Sequence, residues 1–240
     1  EQEAFRDTLR RFLEDKSPTS EVRRLMAAET GYDPAVWKQL SQELGLTGIH
    51  IPEAYGGLGF GISELAIAVE EAGRALLCAP FFASTVMAAT AILEAGTEDQ
   101  KLALLPPVAS GERIATLAVA EDSGKWTADG VTLTATANGK SFTLDGVKSF
   151  VLDGHTADLI VVAARRPGST GADGLSLFTV AGNAPGLTRH PLEAVDATRK
   201  LARLTLNGVE AELLGSEGAA AAPLARTMDL AAICLAHEMV

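Results

Sequence analysis

Between Gly146 and Gly154 the chain reads Gly-Val-Lys-Ser-Phe-Val-Leu-Asp-Gly, a β-prone run that turns sharply at its end and carries a cation, an aromatic ring and a carboxylate. An aromatic such as Phe150 on a strand is by default a packing residue; on a turn it becomes a face against which a planar group can stack. On the last helical stretch, Pro223 to Val240, the carboxylates are Asp229 and Glu238, and the default for each is a solvated or interface position. His50, His155, His190 and His237 are scattered with no H-x-x-x-H spacing, so no metal site is expected. His155 follows the turn and reads as a surface residue. Cys78 and Cys234 lie in apolar stretches without His or Cys neighbours, which makes them packing residues and not zinc ligands or a disulfide framework. Gly57-Leu58-Gly59-Phe60-Gly61-Ile62 contains a G-x-G fragment, but it follows a turn instead of a strand and is no dinucleotide fingerprint.

The elements that must position these residues change character along the chain. Phe5, Leu9, Phe12 and Leu13 mark one face of a helix over Gln2 to Lys16, following a 3.6-residue period. Asp33-Pro34, an apolar stripe through Leu44 and then Gly45 give N-cap, first-turn proline and C-terminal glycine in order. Ser63 to Leu77 and Ser84 to Ala95 are apolar on more than one side and belong inside a bundle. Thr97 with Gln100 makes a capping box for a further helix that should stop at Pro106-Pro107, because proline interrupts the backbone ladder.

From Arg113 the period becomes 2. Runs at 114–119, 131–136, 141–144, 159–163, 175–180 and 201–206 read as strands, and Asn138-Gly139 within Ala137 to Lys140 is a strong hairpin signal. Arg165 to Gly171 reads as an exposed loop. After Gly218 an Ala-rich helix returns, apolar nearly all round from Leu230 to Val240, a pattern that requires burial. The expectation is an α+β chain: an all-α domain over 1–111, an antiparallel β-barrel or sandwich over 112–216, and over 217–240 the first helix of a further, truncated helical domain.

Length and composition set the limits. With 240 residues, 47% of them hydrophobic, the chain can bury a large core. A net charge of −11 and a pI near 4.8 offer no basic field for nucleic acid. No apolar run reaches the ~20 residues that span a bilayer, and Glu1-Gln2-Glu3 is not a signal peptide. A cytoplasmic protein is expected.

Three stretches, in order, resemble the acyl-CoA dehydrogenases. Ile51-Pro52-Glu53-Ala54-Tyr55-Gly56-Gly57-Leu58-Gly59 is similar to the family's P-E-x-Y-G-G-x-G turn. Leu117 to Gly124 lies where the family has a strand ending in T-E-P-x-x-G-S, of which the strand and Glu121 remain. Gly146 to Gly154 stands at G-x-K-x-W-I-T-N-G, with Phe150, Leu152 and Asp153 at the Trp, Thr and Asn.

The resemblance implies a flavoprotein of fatty acid degradation with non-covalent FAD, contacted by Val119, Ala120, Phe150, Val151 and Leu152. It places Glu121, Trp126 and Thr127 near the acyl-CoA, although Trp126 and Thr127 replace small residues and a Ser, and Ala120 lacks the family's hydroxyl. The implied reaction removes the α-proton of the thioester by a Glu while the β-carbon gives hydride to flavin N5. That Glu is expected beyond Val240. An electron-transferring flavoprotein and a homo- or hetero-tetramer are the implied partners. The substitutions leave open a catalytically degenerate subunit of a hetero-oligomer, and the scaffold also serves acyl-CoA oxidases and flavin monooxygenases.

Overall fold

The computed structural model describes residues 2–139 and 141–240. Lys140 of the expected hairpin lies outside them. The helical part contains α1 (Gln2–Lys16), α2 (Thr19–Ala27), α3 (Pro34–Lys38), α4 (Ile62–Arg74), α5 (Thr90–Ala95) and α6 (Glu98–Ala109). Asp33 caps α3 by accepting from Ala35 N, and the widened turn Gln39–Glu43 continues it to Gly45 at φ +67°. A second widened turn, Phe82–Ala89, leads into α5 and is buried at every residue.

Helix α1 is fastened to α4 by charge. The Glu71 carboxylate, 1% exposed, meets Arg6, Arg10 and Arg74 at 2.6–3.0 Å. The donated hydrogen bonds, led by Arg10, outweigh burial and hold this carboxyl at about 2.

Thr97 and Gln100 form the expected capping box, but α6 does not stop at the prolines; Pro106 and Pro107 lie inside it. The prolines remove donors from the carbonyls of Leu102 and Ala103, which are on the exposed side and can be hydrated. Buried Leu105 and Val108 anchor the last turn.

The strands are β1 (Ala115–Ala118), β2 (Thr134–Asn138), β3 (Ser141–Leu152), β4 (Leu159–Arg165), β5 (Leu175–Ala181), β6 (Leu187–Leu192) and β7 (Leu201–Leu214). The expected antiparallel barrel or sandwich is corrected: the sheet is mixed. Its order is β1-β4-β2-β3-β7-β5, with β6 on β7 and a further β4–β5 pairing. β1 and β2 both run parallel to β4. The sequence pattern missed β6 because its residues are half-buried or exposed, and it ended β7 at Asn207-Gly208, where the strand continues. Arg165 is not in a loop. It ends β4 at 5% exposure, and its guanidinium serves the carbonyls of Val131, Ala128 and Gly171 at 2.5–2.8 Å.

Helix α7 (Ala221–Glu238) buries one stripe, Leu224, Thr227, Ala231 and Cys234, and packs chiefly on α4 and α5. The all-round burial expected after Leu230 is not found. Ile233 and Leu235 are nearly half exposed. No helix of the described residues is long and apolar enough to cross a membrane.

Candidate functional site: an apolar pocket at the end of strand β3

The end of β3 is shaped by a buried ion pair and a bulge. Lys148 has no exposure; its Nζ donates to Glu121 Oε1 at 2.8 Å and to the Val119 carbonyl at 2.9 Å. Burial pushes this ammonium down to about 8. Glu121 Oε1 also accepts from Thr132 N and Leu133 N at 2.8 and 2.9 Å, and Oε2 from the Thr132 hydroxyl. Burial alone would raise the Glu121 carboxyl, but Lys148 and these donors hold it below the usual range.

The β3–β7 register then slips between Lys148 and Val151. Within the slip Phe150 adopts φ +58° and leaves its side chain 39% exposed. A left-handed, non-glycine aromatic is unfavourable by about 1 kcal/mol or more. This ring is therefore held outward at a cost. Past the slip, Leu152 O accepts the Thr116 hydroxyl at 2.6 Å, and Asp153 is left-handed again at φ +50°.

Beside this edge lies a cavity of about 550 Å³, walled by α4, the Phe82–Ala89 turn, α7, Trp126, Leu152 and the 196–199 loop. Leu77, Phe82, Met87 and Leu235 give it an apolar lining. One corner is charged: Arg199 pairs with Glu238 and stands 5.2 Å from the centre of the Phe82 ring. The helices close this corner tightly. A Cβ on Gly73 would lie 2.2 Å from the Glu238 carbonyl.

The structure brings two of the expected site residues, Trp126 and Leu152, to this cavity, with Phe150 nearby in the chain. The other expected residues do not line it. Val119, Ala120 and Val151 are at most 1% exposed, because the Ser149–Ala120 and Lys148–Val119 bonds fold the bulge over the end of β1; they offer no surface to a ligand. Glu121 has both oxygens engaged internally, so it ties strands together and does not face a substrate. Thr127 is exposed and donates its hydroxyl to Asp129 at 2.5 Å. Of the two helix carboxylates, Asp229 is exposed and Glu238 reaches the pocket.

His155 is not free at the surface. Its ring meets the carbonyls of Glu29 and Thr30 at 3.0 and 3.2 Å. Burial lowers His50 to about 4. No group of His, Cys, Asp or Glu among the described residues is arranged to hold a metal.

Sequence reasoning missed Arg199. Its one visible signal is the polar run Asp196-Ala197-Thr198-Arg199-Lys200 between strands. For a planar cofactor ring, the fit rests on Phe150, a half-exposed aromatic at a strained position, two residues before the cavity-lining Leu152.

Comparison with known proteins gives two family matches. Residues 1–112 match the model for "Acyl-CoA dehydrogenase, N-terminal domain", and residues 116–209 match "Acyl-CoA dehydrogenase, middle domain". An acyl-CoA dehydrogenase of Bacillus subtilis (strain 168) is 32% identical over 186 residues, covering 72% of this chain and 48% of the relative. The solved butyryl-CoA dehydrogenase from Megasphaera elsdenii superposes with a TM-score of 0.87 at 28% identity, over 99% of this chain and 64% of that one. A structure described as "Tcur3481-Tcur3483 steroid ACAD G363A variant" does so with a TM-score of 0.84 at 32% identity, over 99% and 62%. The chain spans about half the length of the curated relatives it matches.

Proposed function

The chain belongs to the acyl-CoA dehydrogenase family, and from that premise we propose that it serves a flavin-dependent α,β-dehydrogenation of an acyl-CoA thioester in the cytoplasm. The observation that carries this reading is the apolar cavity bordered by Trp126 and Leu152, with Leu152 two residues along the chain from the half-exposed Phe150. FAD, when bound, would supply the hydride acceptor. Phe150 would hold it by stacking, with Leu152 against the ring edge.

The chain's own contribution is positional. The Phe82, Met87 and Leu235 walls strip water from an acyl group, which strengthens every electrostatic contact made to it. Lys148 and Glu121 fix the bulge that turns Phe150 outward. Both carboxylates of the cavity are already engaged: Glu238 pairs with Arg199, and Asp196 Oδ1 accepts from Thr198 N and Oγ1 at 2.9 and 2.6 Å. The α-proton is accordingly taken by a carboxylate outside residues 1–240. An electron-transferring flavoprotein would accept the electrons, and the assembly would be a tetramer.

The test is anaerobic addition of acyl-CoA to the flavin-loaded protein. Loss of the long-wavelength flavin absorption supports dehydrogenation; an unchanged spectrum across chain lengths overturns it.

A second reading is favoured by a specific observation. Val119 and Ala120 present no surface, and Leu152 has no hydroxyl, so polar contacts to a flavin are fewer than the family pattern provides. The chain would then be a catalytically degenerate subunit that supports an active homologue in a hetero-oligomer; the relative named Tcur3481-Tcur3483 carries two components in its name. Co-purification of a flavin-bearing homologue, with activity confined to the complex, separates the two.

A further inference from the structure

Resting on the acyl-CoA reading, we propose that the Arg199–Glu238 corner of the pocket recognises a neutral oxygen, a hydroxyl or a ketone, carried by the acyl group at a distance from its thioester. A guanidinium has five N–H donors, and among the described residues Arg199 meets a single acceptor, Glu238. Its side chain is 26% exposed and lines the cavity, so the unfilled donors are open to whatever occupies it. The Phe82 ring centre lies 5.2 Å from the guanidinium carbon, and the ring helps hold it in the corner.

A purely apolar acyl group would strip water from these donors and return nothing, which is unfavourable for a charged group. An ammonium would add donors where acceptors are already short. A carboxylate would meet the wrong field, because the guanidinium shares the corner with Glu238 and Asp196, and Asp153 lies close enough to Arg199 for its carboxyl to feel that charge. A ketone accepts from Arg199 without adding charge. A hydroxyl accepts from Arg199 and donates to Glu238. The cavity, about 550 Å³, is of the size that takes a drug-sized ligand, so a substituted acyl group has room to reach the corner.

The test is calorimetric titration of the protein, in the presence of FAD, with four thioesters that share an eight-carbon acyl chain: octanoyl-CoA, 8-hydroxyoctanoyl-CoA, 7-oxooctanoyl-CoA and octanedioyl-CoA. The hydroxy and oxo compounds should bind about tenfold or more tightly than octanoyl-CoA, as hydrogen bonds to a charged donor do, and octanedioyl-CoA no more tightly than octanoyl-CoA. Equal affinities, or octanedioyl-CoA binding best, overturn the proposal while leaving the acyl-CoA reading intact. Failure of all four to bind overturns both. The preference should vanish in Arg199→Met, and also in Arg199→Met with Glu238→Gln, which leaves no unpaired buried charge; its persistence in the folded double variant overturns the assignment to this corner.

Discussion

Lys148 Nζ stands 2.8 Å from Glu121 Oε1 and 2.9 Å from the Val119 carbonyl, so one ammonium with no exposure joins the end of β1 to the bulge of β3. Removing either partner strands the other charge in the core. Lys148→Met should destabilise by about 3–5 kcal/mol, read as a lower urea midpoint. Adding Glu121→Gln to it should recover part of that loss, and strict additivity would show that the two are not coupled.

Phe150→Gly separates a ligand-facing ring from a core ring. Glycine relieves the left-handed strain at φ +58° and loosens the unfolded chain by a similar amount, so the net change should be the lost burial of a ring that is 39% exposed, about 1–2 kcal/mol. Flavin retention, measured as the ratio of visible to ultraviolet absorbance, should fall at least tenfold. A large drop in melting temperature with flavin still bound would return Phe150 to a packing role.

Asp153 gives a pH signature. Burial, only partly offset by Arg199, raises its carboxyl to about 7 from the usual 3.8. Between those values the folded chain holds a proton that the unfolded chain releases, so this group's contribution is greatest below pH 3.8 and is lost as pH rises to about 7. Asp153→Asn, which also suits φ +50°, should stabilise by ~1–3 kcal/mol at pH 8 and give no gain near pH 3.5. Equal melting temperatures for the two proteins at pH 8 would contradict this.

Glu71 has the opposite sign. Its carboxyl is held at about 2, so its stabilisation is present above the usual 4.5 and is lost as pH falls from there toward 2. Glu71→Gln should cost about 2–3 kcal/mol at neutral pH, a buried-pair loss reduced because Arg10 is 40% exposed. The difference from the parent protein should shrink as unfolding is measured at successively lower pH down to 2.

Local signals were legible in the sequence. Asp33 and Thr97 cap their helices through atoms two and three residues away, and such contacts are visible in a short window. The proline stop at 106–107 was misread because hydration and the packing of Leu105 and Val108 override local propensity. Parallel pairing of Ala115 with Leu159 and the meeting of Arg199 with Glu238 depend on residues far apart in the chain, and periodicity does not carry that information. The resemblance put Leu152 at a flavin and Trp126 near an acyl-CoA, and both line the cavity; the burial of Ala120 is set by what folds across it, the Ser149 amide and Lys148, and not by its own segment.

Strand β7 carries a consequence for how the molecule is made. It pairs along its length with β3, β5 and β6, so during synthesis those three strands wait with open hydrogen-bonding edges until residues 201–214 have emerged. Pairings of such long sequence separation form slowly, and unpaired edges invite association with other chains. A nascent chain halted before Leu201 should be the aggregation-prone species, and one released after Leu214 should resist proteolysis across the whole sheet.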